Sequence, residues 1–81
     1  KNRRRTTTDK LAEYDSTHNS DLLPTLKAFL LAGSQIASAA ERLAVHRHTV
    51  RARIEKIQAL CGIDLTNPVI RAELLLLTVS N

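Results

Sequence analysis

The 81-residue chain has no Trp and no Met, and its only aromatics are Tyr14 and Phe29. Gly and Pro occur twice each, so the chain lacks the punctuation of a protein built from many short strands. With Ala and Leu abundant, these absences favour an all-α class. The single cysteine, Cys61, excludes an intrachain disulfide and fits a reducing cytosol, hence a cytoplasmic protein. No apolar run reaches the length of a membrane span, and the basic start lacks the apolar segment of a signal peptide. Nor is there a nucleophile–base–acid set. Asp15, Asp21, Asp64 and Glu73 are scattered near expected helix ends, where capping explains them. His46 and His48 are spaced like a metal pair, but positions i and i+2 of a helix point about 200° apart. Cys61 lies several turns away, on the inward side. Catalytic, metal and cofactor sites are therefore not expected.

What is present is positive charge in two places. Residues 1–10 hold five of the twelve basic residues and one of the eight acids, which accounts for the whole net charge of +4. The remaining residues balance. Within them, residues 41–56 carry five basic side chains against Glu41 and Glu55. Basic charge gathered this way is the footprint of a polyanion partner. The chain begins at Lys1, which reads as a piece of something larger.

The second basic cluster lies in Ala39–Leu60, AAERLAVHRHTVRARIEKIQAL. It reads as a helix end, a three-residue turn and a second helix: a helix-turn-helix. Ala39 and Ala40 allow close approach, and Leu43, Val45, Val50 and Ile54 lock the angle. Ala44 stands at the tight turn where Gly is frequent, and His46 is placed to cap the second helix. In that helix, about residues 47–60, Val50, Ile54, Ile57 and Cys61 form an inward stripe. Arg47 and Arg51 flank it on one side, Arg53 and Lys56 on the other. No acid occurs from Arg42 through Ile54. An exposed, purely basic helix start suits insertion into a DNA major groove.

The rest supplies a scaffold. Residues 1–8 contain no strongly apolar side chain and are read as a flexible basic arm or linker, with Arg3, Arg4 and Arg5 as possible DNA contacts. Residues 9–81 form the domain, five helices in all. The first carries Leu11, Tyr14 and His18, with Thr8 or Asp9 as cap. Asn19 or Ser20 opens a second, the central apolar element, with Leu22, Leu23, Leu26, Phe29 and Leu30. Gly33 ends it and Ser34 caps a third. Gly62 is a left-handed cap after the fourth, Ile63 and Leu65 tuck the loop inward, and Asn67-Pro68 starts a fifth. Leu26, Phe29, Leu43, Val50, Ile54 and Ile57 are expected to be buried together. The last helix is apolar nearly all round, so Leu75, Leu76 and Val79 are expected to meet a second copy or an upstream region.

Leu22-Leu23-Pro24-Thr25-Leu26, Ala39-Ala40 through Leu43, Val45-His46-Arg47-His48-Thr49-Val50, Arg53-Ile54 and Gly62-Ile63-Asp64-Leu65 resemble one family. It is the C-terminal DNA-binding domain of the purine-catabolism-regulator (PucR) family of bacterial transcription factors. The resemblance covers about residues 11–79. The helix-turn-helix is also similar to that of the factor-for-inversion-stimulation type. There, the positions matching His46, Arg47 and Thr49 lie at the DNA surface. The resemblance further implies an upstream sensory region. His48 stands where such domains often have Asn, and Ala52 where they often have an aromatic, so base preference does not carry over.

The expected DNA-contacting set is His46, Arg47, His48, Thr49, Arg51 and Arg53, with double-stranded DNA as partner and a homodimer or an upstream regulatory domain as the second contact. The alternative is a helical protein–protein interaction or dimerisation module that uses the last helix.

Overall fold

Five stretches of helical periodicity become five helices in the computed structural model, which describes residues 3–80, with side chains from Thr7 to Val79. They are α1 (Arg3–His18), α2 (Leu22–Leu31), α3 (Ile36–Leu43), α4 (Arg47–Cys61) and α5 (Pro68–Ser80). Among the described residues there is no strand, so the all-α class holds. α2 is central and packs against each of the other four helices. Its Leu22, Leu26, Phe29 and Leu30 are buried, with Leu11 of α1, Val50, Ile54 and Ile57 of α4, and Leu74 of α5 around them. Leu43 is half-buried at the edge of this core rather than inside it. It is the last residue of a helix only eight residues long.

α1 begins earlier than the sequence pattern indicated. It runs through the expected boundary between residues 8 and 9, and Thr7 is buried in register with Leu11 and Tyr14. A threonine methyl on the i, i+4, i+7 face contributes the apolar surface that a hydropathy pattern does not count. The caps expected at Thr8 or Asp9 therefore lie inside the helix. The side chains of Arg3, Arg4 and Arg5 fall outside the described residues.

The α1–α2 junction also departs from expectation. Asn19 takes a left-handed φ of 52° and ends α1, so it is not a helix-opening residue. Neither it nor Ser20 caps α2. The first two amides of α2, Leu22 and Leu23, donate at 2.8 Å to the two carboxylate oxygens of Asp15, in the last turn of α1. Ser20 Oγ donates to Oδ1 of the same group at 2.6 Å. One carboxylate thus satisfies two amides that have no intrahelical acceptor and sits against the positive end of the helix.

At the other end of α2, Gly33 and Ser34 both adopt left-handed φ, 68° and 64°. That conformation removes Ser34 from the capping role expected of it. Gln35, extended at φ −98° and ψ 116°, is the N-cap of α3, without a side-chain bond.

Candidate nucleic-acid interface

The α3–α4 unit is built by small residues and one strained one. Ala39 and Ala40 are buried where the helices approach. Ala44 closes α3 in the left-handed region, φ 57° and ψ 42°, a conformation that costs an L-residue about 1–2 kcal/mol. The Val45 amide then bonds back to the Ala40 carbonyl at 3.1 Å, and the Val45 side chain packs against the core. This sharp reversal aims α4 away from α3.

His46 opens α4 as expected. Its backbone is extended, and its ring Nδ1 accepts the His48 amide at 3.1 Å. Because His46 precedes the helix, the helical angle between positions 46 and 48 does not apply. The two rings stack, with centroids 4.7 Å apart and planes 11° from parallel. The separation inferred from helical phase is corrected by the extended backbone of the cap.

Val50, Ile54 and Ile57 face the core, and Cys61 is half-buried at the end of the stripe. Burial pushes the Cys61 thiol above its usual range, with the Lys10 ammonium opposing more weakly. The opposite face is left to solvent. His48, Ala52 and Glu55 lie on it, and His46 before the helix and Arg47 and Arg51 beside the stripe are exposed at the N-terminal end. Arg42, exposed in the last turn of α3, adds a cation across the turn that the sequence pattern did not single out. Thr49 is half-buried. Arg53 is also half-buried, and its Nη1 donates at 3.2 Å to Thr25 Oγ1 in α2. Thr25 is fully buried and donates in turn to the Asp21 carbonyl at 2.6 Å. This link spans 28 positions and leaves no local trace in sequence.

The far end of α4 is fixed by its loop. Gly62 is left-handed at φ 62°, and its amide bonds to the Gln58 carbonyl. Leu65 is buried, and its amide donates to Gln58 Oε1 at 2.7 Å. Asp64 accepts from both the Thr66 hydroxyl and amide, which holds its carboxyl below the usual range. Asn67 caps α5 through the Val69 amide at 2.9 Å.

The geometry is thus a helix-turn-helix whose second helix starts with exposed cations, and the sequence of residues 22–78 matches the PucR C-terminal helix-turn-helix domain. The chain belongs to that family. It is 36% identical over 58 residues to the DNA-binding transcriptional activator AdeR of Bacillus subtilis (strain 168), covering 72% of this chain and 14% of that protein. It is 44% identical over 62 residues to the purine catabolism regulatory protein of the same organism, covering 76% of this chain and 12% of that protein. No solved structure matches the chain significantly. Among the described residues no cluster of His, Cys, Asp or Glu is arranged to hold a metal, and no helix is long and apolar enough to cross a membrane.

Proposed function

We propose that this domain binds double-stranded DNA sequence-specifically, with α4 as the recognition helix in the major groove, as part of a transcriptional regulator. One observation carries the reading. α4 begins with exposed Arg47 and Arg51 and has no acid in its first turn. Cations at a helix N-terminus oppose the helix dipole, so stability alone does not favour them. A polyanion does. The relative named as a DNA-binding transcriptional activator supports the same reading.

Within it, Arg47 reads a base, because the first turn lies nearest the groove floor when a helix enters by its N-terminus. A bidentate arginine–guanine pair supplies about 1–3 kcal/mol of discrimination. Arg51 reaches a base or the flanking phosphate, while Thr49 and Arg53 serve the backbone. Arg3, Arg4 and Arg5 attract phosphates without reading sequence. Selection from a random duplex pool, followed by Arg47→Ala, tests this. The variant is expected to weaken the selected site far more than random DNA. Replacing Arg3, Arg4 and Arg5 together is expected to weaken both alike and to lower the salt slope by about 0.9 for every phosphate that is no longer neutralised. Equal weakening on both DNAs with Arg47→Ala would remove the reading.

The proposal extends to assembly. Val69, Leu76 and Val79 lie on one side of α5 and are 65%, 64% and 60% exposed, an apolar stripe rarely left bare. Leu75, expected on this surface, is instead half-buried against the core. A second copy packed on the stripe would set two recognition helices on half-sites about one helical turn apart. Sedimentation is expected to show a dimer that Leu76→Ser weakens. A monomer at all concentrations would assign the stripe to a partner outside this domain.

A further inference from the structure

A neutral imidazole has one protonated nitrogen and one bare nitrogen, and the fold decides which is which in His46. Its Nδ1 accepts the His48 amide at 3.1 Å, so Nδ1 is bare and the proton sits on Nε2. The His48 ring, stacked at 4.7 Å, holds the plane of the first ring. The side chain is exposed beside Arg47. We infer that His46 is a one-way contact: held as the Nε2–H tautomer by capping α4, it donates a hydrogen bond to an acceptor atom of the bound duplex. This rests on the DNA-binding reading above.

The chemistry is selective in sign. Nε2–H pairs with a phosphate oxygen or with a major-groove acceptor (guanine O6 or N7, adenine N7, thymine O4), and it rejects the amino groups at cytosine N4 and adenine N6, which are themselves donors. The cap and the DNA contact are therefore one side chain used from its two edges. Removing the ring acts on both, whereas a shorter capping residue separates them. Serine retains an acceptor for the helix amide but does not extend to the duplex.

Two measurements on the 81-residue chain test this. Long-range proton–nitrogen NMR correlations of His46 in alkaline solution are expected to show the Nε2–H pattern, and the Nδ1–H pattern would overturn the inference. Binding is then measured to a duplex recovered from a random pool. His46→Ser is expected to keep the thermal midpoint of the parent and weaken binding about ten-fold, whereas His46→Ala lowers both. Binding by His46→Ser equal to the parent would overturn the inference. If Arg47→Ala abolishes preference while His46→Ser changes nothing, only this inference falls. If the parent binds no duplex, both it and the DNA-binding reading fall. Methylphosphonate at single phosphates distinguishes a backbone acceptor, and 7-deazapurines, 2-aminopurine in place of guanine and 5-methyl-2-pyrimidinone in place of thymine distinguish the base acceptors. Disappearance of the His46→Ser effect in one of these series names the acceptor, and its persistence throughout all of them would refute the contact.

Discussion

Truncating Arg53 measures its work inside the fold apart from the DNA contact proposed for it. The guanidinium has five N–H donors. One is committed to Thr25 Oγ1 at 3.2 Å, tying the middle of α4 to the first turn of α2. A hydrogen bond from a charged donor contributes about 1.5–3 kcal/mol when desolvated. Arg53 is only half-buried, so solvent screening reduces this to about 1–2 kcal/mol. For a domain of this size that lowers Tm by roughly 5–15 °C. Arg53→Ala is expected to show that drop in thermal and urea unfolding followed by helical circular dichroism. Thr25→Val removes the acceptor while nearly conserving shape. In a double-mutant cycle the pair should couple by about 1 kcal/mol. The phosphate contact proposed for Arg53 makes a separate prediction, that Arg53→Ala also lowers the salt slope of DNA binding by about 0.9. An unchanged Tm with no coupling would show the link to be dispensable and the structural role of Arg53 to be wrong.

Asp15→Ala removes the acceptor of the Leu22 and Leu23 amides and is expected to destabilise by about 2–3 kcal/mol in urea unfolding, beyond an ordinary exposed cap. Ile54→Ala empties a core site on α4 and should destabilise by about 2–5 kcal/mol; an unshifted transition would mean that the phase of the helix is wrong. Ala44→Gly relieves a left-handed alanine and should stabilise by about 0.5–1 kcal/mol after the extra entropy of the unfolded chain, as read by Tm. Cys61 has a raised pKa in the fold, so its contribution is intact below the ordinary thiol value and disappears as pH rises through the folded value. Urea titrations at increasing alkalinity should show that decline, and Cys61→Ala should flatten it.

Local signals in the sequence determined the helices, the helix-turn-helix and the inward face of α4. Val50, Ile54 and Ile57 repeat at helical spacing, so their common burial follows from the geometry of any helix. His46, Gly62 and Asn67 were legible because a cap acts on amides or carbonyls within a few positions of itself. Tertiary structure decided what depends on residues distant in sequence or on backbone departures from regular helix. Asp15 caps a helix that is not its own, which no local motif records. Thr7 counts as core only because α1 lies where it does, since a threonine's small apolar surface matters once something covers it. Arg53 looks like any exposed basic residue until α2 brings Thr25 beneath it. The His46–His48 stack exists because one of the pair stands outside the helix, where the 100° step between residues no longer holds.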